Sequence, residues 1–230
     1  MSSSADPTGA SDRPRRRCLR ADAERNRDRI LAAARRLYAR DGLGVSMAAV
    51  AREAGVGKAT LCRRFATREE LVDAVFADRM DAYAAAVTAA LADPDPWRGF
   101  VGCVQAVCAM QAADRGFADV LTTAFPAAGA VEERRSRAHA GLVELIDRAK
   151  ASGHLRDDVT DRDVVILLMA NAGVLDAAGE AAPDAWRRLV AQMLRAYAAP
   201  GAALPPLPDP PSPAALSRAV LLGRTGQAAS

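Results

Sequence analysis

Residues 46–65, SMAAVAREAGVGKATLCRRF, read as two short helices flanking a Gly-Val-Gly turn. Ser46 stands where an N-cap belongs, because its hydroxyl can accept from an orphan amide of the first turn. Met47, Val50, Ala51 and Ala54 then make the inner stripe of the first helix. Their small size lets a second helix cross closely, and the turn needs Gly55, since a β-carbon would obstruct left-handed geometry. The second helix, from Lys58 to about Phe65, carries Lys58, Thr60, Arg63 and Arg64. This is the layout of a helix-turn-helix, whose second helix enters a DNA major groove. Ser46, Gly57, Lys58, Ala59, Thr60, Cys62, Arg63, Arg64 and Arg68 are the candidate DNA-contact positions, with Lys58 toward phosphate and the arginines able to reach phosphates or base edges.

Helical periodicity continues on both sides. Ile30, Leu31, Ala34, Leu37 and Tyr38 share one face of a preceding helix that Gly42 ends. Thr67 with Glu70 predicts a capping box opening a long fourth helix, with Leu71, Val72, Val75, Phe76 and Met80 inward and a stop at Asp93-Pro94-Asp95-Pro96. Five more helices are predicted over residues 97–113, 117–125, 127–152, 161–178 and 183–199. No stretch alternates with period two long enough for a strand, so the fold class is all-α. The helix over 161–178 is apolar all round and predicts cover on every side. Residues 200–213 hold seven prolines, and residues 200–230 read as a Pro-rich disordered tail with at most one weak helix over 214–223. Residues 1–21 have no hydrophobic period and read as a disordered basic arm, either a minor-groove contact or a solubilising segment.

Composition bounds the function. The chain of 230 residues is 50% hydrophobic and 26% charged, enough for a real core. Its net charge of +3 hides an asymmetry: residues 1–68 hold 16 Arg/Lys against 7 Asp/Glu, residues 69–230 hold 15 against 21. A basic N-terminal third points to an anionic partner. The longest apolar run, residues 164–170, is far short of the roughly 18 needed to span a bilayer. With no apolar leader at the N-terminus, the expectation is a cytoplasmic protein without membrane contact. Cys18, Cys62, Cys103 and Cys108 form no CxxC pair and do not cluster with His139 or His154, so no metal site and no cofactor are expected. Cys62 reads as a small filler and the two histidines as surface or hydrogen-bonded groups.

Over residues 23–83 the chain resembles the TetR family of transcriptional regulators. The residues that carry the resemblance are Ile30-Leu31, Gly42, Val50-Ala51, Ala54-Gly55-Val56, Phe65 and Arg68-Glu69. Beyond them the likeness lies in helix count and order, with a Gly-x-Leu-Arg-x-Asp-Val turn at residues 153–159. Two departures stand out. Cys62 replaces a tyrosine able to reach phosphate, and Gly57 replaces a capping Ser or Thr. Arg64, where the family often carries His, is expected to supply a phosphate contact.

The resemblance implies a DNA-binding domain over residues 22–66 and a ligand-binding and dimerisation domain over 67–199. It implies a repressor that binds a palindromic double-stranded DNA operator as a homodimer and is released by a small apolar effector. Trp97, Phe100, Val104, Met110, Phe117 and Phe125 are the candidate effector pocket, with plain core as the competing reading. Leu168, Ala172, Trp186, Leu189, Met193 and Tyr197 are the candidate dimer interface. Two alternatives remain open: a DNA-binding regulator with no small-molecule effector or controlled by a protein partner, and a helical enzyme. For the enzyme the sequence offers no nucleophile elbow, phosphate loop or paired carboxylates, so the expectation is a non-enzyme.

Overall fold

Ile30, Ala33, Ala34, Leu37 and Tyr38 are all buried along one side of α1 (Asp12–Asp41), the helix on which the N-terminal domain is assembled. The computed structural model describes residues 12–122 and 130–227. Of two short helices, α2 (Met47–Glu53) packs on α1 and α3 (Lys58–Arg64) packs on α2. The long α4 (Arg68–Leu91) leads into the larger domain, where α5 (Pro96–Ala113), α6 (Arg115–Thr122), α7 (Ala130–Ala151), α8 (Asp161–Ala178) and α9 (Ala185–Tyr197) follow. A last helix, α10 (Pro213–Gln227), returns onto α8. Among the described residues there is no strand, only an isolated bridge between Leu155 and Ala198. No described helix is long and apolar enough to cross a membrane.

Local chemistry explains where the helices begin and end. The Ser46 hydroxyl accepts from the Ala49 N–H at 3.2 Å, and the Thr67 hydroxyl from the Glu70 N–H at 3.1 Å. Glu70 reaches one residue further back than a capping box requires, its carboxylate accepting from the Ala66 N–H at 2.7 Å. Asp95 caps α5 by accepting from the Trp97 and Arg98 amides. Gly42 closes α1 at φ +71°.

A column of aromatic rings joins the two domains. Tyr38 of α1 stacks on Phe76 of α4 with centroids 6.0 Å apart, and Phe76 meets Phe117 of α6 at 6.5 Å. Gly116 lets α6 approach this closely, since a β-carbon there would sit 2.9 Å from Phe76 Cζ and 3.2 Å from the Tyr38 backbone. Asp114 anchors the same end of α6 by accepting from the Phe117 N–H at 3.2 Å, and pairs with Arg79 of α4 at 3.6 Å. Elsewhere α7 packs against α4, close enough that a β-carbon on Gly141 would meet Val87 Cγ1 at 2.5 Å.

Three expectations are corrected. The helix α1 begins at Asp12, so residues 12–21 are not a disordered arm; Pro14 falls in the first turn, where its missing N–H costs no intrahelical bond, and no breaker follows before Gly42. Residues 1–11 lie outside the described residues. The C-terminal segment is not a free tail either. Trp97 Nε1 donates to the Ala203 carbonyl at 2.7 Å, Arg195 to that of Pro205 at 3.1 Å and Arg188 to that of Pro208. Prolines cannot donate, but their carbonyls accept, and arginines on α9 use them. Beyond them α10 buries Ala215 beside Ala178 and Ala182. Finally α8 is not covered on all sides by its own chain: Val164, Leu167 and Leu168 are buried, while Val165, Ile166 and Met169 are 37%, 58% and 55% exposed.

Because Phe76 is buried between two rings, Phe76→Ala is expected to cost about 3–5 kcal/mol of stability. Urea unfolding measures this, and a loss under about 1 kcal/mol would mean that the column bears little of the packing.

Candidate nucleic-acid interface

The helix α3 is held from below by two residues and left open above. Leu61 is fully buried and Phe65, its C-cap, nearly so, whereas Lys58, Ala59, Cys62, Arg63 and Arg64 are exposed and Thr60 is half-buried. The period of the helix thus separates an apolar underside from a cationic outer face. Arg63 Nη2 donates to Thr60 Oγ1 at 3.2 Å, which sets two candidate contacts side by side. Gly57 caps α3 without a side-chain bond, and Ser46 and Gly57 are both exposed at the helix starts that border this face.

The turn between α2 and α3 is fixed by a residue that periodicity did not single out. Arg29 of α1 donates from Nη2 to the Ala54 carbonyl at 2.8 Å and to that of Gly55 at 3.2 Å. Gly55 has φ +62°, and a β-carbon on it would lie 2.9 Å from that same guanidinium nitrogen. Glycine is therefore favoured by conformation, and a side chain there would also push the Arg29 guanidinium off the turn. The Arg27 guanidinium lies over the Phe65 ring at 5.8 Å and Arg36 pairs with Glu53 at 3.1 Å, so α1 braces both helices. Arg68 differs from the other candidates. It opens α4 half-buried with its Nε covered, and its charge acts on Tyr38, whose phenol is pushed up chiefly by burial, with Arg68 opposing. It belongs to the joint between α1 and α4 as much as to the outer face.

The other predicted groups are dispersed. Trp97 stacks on Phe100 at 5.8 Å beneath the Pro-rich segment, Phe117 is in the aromatic column, Met110 is half-buried on α5, and Phe125 lies outside the described residues. Val104 alone of the six borders the internal cavity between Tyr83, Val107, Leu142, Val164 and Leu168, whose volume is about 10 Å³. That is room for about one water at most, not an effector. Leu168, Trp186 and Tyr197 are buried inside the single chain, Tyr197 with its hydroxyl donating to the Asp163 carbonyl at 2.9 Å. They are core residues, because α9 turns its stripe onto α5 and α8 of its own protomer and α8, which carries Leu168, packs on α5. Ala172, Leu189 and Met193 remain half-exposed. Among the described residues no group of His, Cys, Asp and Glu is placed to hold a metal.

The comparisons with known proteins agree with this arrangement. The family model of the tetR family of bacterial regulatory proteins matches residues 30–75, and that of the SbtR-like transcriptional regulator C-terminal domain matches residues 95–196. The chain belongs to the TetR family. A TetR transcriptional regulator from Streptomyces coelicolor is 30% identical over 76% of this chain and 99% of its own, with a TM-score of 0.47. A tetR-family regulatory protein from Rhodococcus RHA1 is 19% identical over 76% and 97%, with a TM-score of 0.59. A gamma-butyrolactone receptor, ArpA-like, is 18% identical over 91% and 100%, with a TM-score of 0.54. No match is found among curated proteins. This TetR-family chain is thus a transcription regulator with a DNA-binding helix-turn-helix, the layout given by α2 and α3.

Burial pushes the Cys103 thiol up to about 11 and that of Cys108 to about 12, whereas Cys62 is exposed on α3. In a Cys18→Ser background, iodoacetamide at neutral pH is expected to modify Cys62 alone. Mass spectrometry showing native-state labelling of Cys103 or Cys108 would contradict the packing of α5.

Proposed function

We propose that the chain is a repressor that binds a palindromic operator as a homodimer and is released by a small molecule. The observation that carries the DNA reading is the cationic outer face of α3, clamped by Leu61, Phe65 and Arg29. Lys58, Arg63 and Arg64 make phosphate or base contacts, with Thr60 oriented by Arg63. Phosphates supply most of the affinity, so binding falls steeply with salt.

Dimerisation uses the exposed stripe of α8, Val165, Ile166 and Met169, together with Met193 of α9. A second copy that buries this stripe removes a run of apolar surface from water and fixes the distance between the two α3 helices. The gamma-butyrolactone receptor of the same fold supports a small-molecule effector by likeness alone. An apolar effector lodged beside Val104 needs the cavity of about 10 Å³ there to open. That tight packing favours a second reading, in which the regulator has no small-molecule effector or answers to a protein partner.

Lys58→Ala with Arg63→Ala is expected to weaken operator binding at least tenfold and to make the slope of log K against log salt shallower by about 0.9 for each phosphate no longer neutralised. Fluorescence anisotropy across a salt series reads both, and an unchanged slope would remove α3 from the interface. Ile166→Glu with Met169→Glu is expected to give monomers in sedimentation velocity at micromolar concentration, since a dimer would bury unpaired carboxylates. A persistent dimer would place the interface elsewhere.

A further inference from the structure

The helix α3 is short and thinly anchored. Its seven residues cannot offset the cost of nucleating a helix, so its shape and direction are set by what surrounds it. It packs on α2, α2 packs on α1, and its underside is the buried pair Leu61 and Phe65. Two side chains along one line resist lifting of a helix better than they resist rolling about that line.

From α1, two arginines reach the two ends of α3. At the entrance, Arg29 Nη2 donates to the Ala54 carbonyl at 2.8 Å and to the Gly55 carbonyl at 3.2 Å. Both carbonyls follow the last turn of α2, where a helix leaves its C=O groups without intrahelical donors, and Arg29 supplies the donor from 25 residues away in sequence. The same contact sets a cation at the negative end of α2. Ala54 is the C-cap of α2, still in helical geometry at ψ −11°, and Gly55 turns the chain at φ +62°. The direction in which α3 departs is decided at these two residues. At the exit, the Arg27 guanidinium lies over the ring of Phe65, the C-cap of α3, at 5.8 Å. Arg29 is otherwise exposed, so its hold on the turn depends on the two hydrogen bonds rather than on burial.

We propose that Arg29 is a positioning residue for sequence-specific DNA binding: by fastening the α2–α3 turn to α1, it sets the angle at which α3 enters the groove. Attraction to phosphate falls off slowly with distance and tolerates a small displacement, whereas hydrogen bonds to base edges lose their geometry with a shift of about 1 Å. Loosening the turn therefore removes discrimination between sequences before it removes attraction to DNA. The inference rests on the reading of α3 as the helix that contacts DNA.

The test uses the full chain, a duplex that the unaltered protein selects from a random pool, and a scrambled duplex of the same length, with fluorescence anisotropy across a salt series. Arg29→Ala is expected to weaken binding to the selected duplex by about ten- to a hundredfold, the range for a lost charge-assisted contact. Binding to the scrambled duplex is expected to change by less than about twofold, with the slope of log K against log salt unaltered, because no phosphate contact is lost. Arg29→Lys keeps the charge and a donor without the planar fork, and is expected to recover part of the lost preference. Gly55→Ala adds an independent arm, since its β-carbon would meet the Arg29 nitrogen at 2.9 Å. Its effect on the selected duplex is expected to be several-fold smaller in the Arg29→Ala chain than alone. Scrambled-duplex affinity doubles as the control for folding, and Arg29→Lys carries the test should the alanine variant unfold.

A slope shallower by about 0.9 would make Arg29 a phosphate contact. Equal loss on both duplexes would make it a general support of the domain, and full additivity with Gly55→Ala would mean that the two do not act through one turn. Each of these outcomes overturns the proposal. An unaltered chain that prefers no duplex refutes the site-specific reading and the positioning role with it. A chain that selects a duplex and keeps its full preference in Arg29→Ala refutes the positioning role alone.

Discussion

Three rings, Tyr38, Phe76 and Phe117, are the joint on which the arrangement of the two domains turns. They come from α1, α4 and α6, so neither domain can move relative to the other without repacking them. A protein interior is close-packed, and such a contact switches between discrete arrangements more readily than it deforms. Gly116 sets how near α6 comes, and two polar contacts fix the register around the rings: Arg35 Nη2 on the Val75 carbonyl at 3.1 Å, and Asp119 on the Leu43 N–H. A displacement of α6 is therefore felt at both the root of α4 and the loop before α2.

The N-terminal domain was legible in the sequence because its instructions are local. Ser46 and Thr67 cap the helices they precede, Gly42 and Gly55 take the positive φ that the turns require, and the stripe on α1 is the stripe that is buried. What periodicity could not show was Arg29, whose bonds to the turn span 25 residues of sequence, or Asp119, which reaches back across 76. An exposed-looking arginine on a helix gives no sign of which carbonyl it will meet. Its one available clue was Gly55, which signalled a crowded turn without naming the neighbour.

In the larger domain the helices were legible and their partners were not. An apolar stripe states that a face is buried and leaves open by what. Trp186 and Tyr197 pack inside their own protomer, while the residues left bare are Ile166 and Met169, hidden in the sequence within a run that is apolar on every side. The pocket candidates within the described residues scatter for a related reason, since side chains spread over α5 and α6 need not face one space. The C-terminal segment misled by composition: seven prolines suggest disorder, yet their carbonyls serve Arg188, Arg195 and, through Ala203, Trp97.

One claim is central, that α3 reads DNA as one of a pair. Its most direct test is footprinting, at physiological salt, of the genomic fragments that the purified chain retains. The expected result is protection of a palindrome whose half-sites lie about one helical turn, roughly 10 base pairs, or a multiple of it apart. Protection of a lone half-site, or no retained fragment at all, would contradict it.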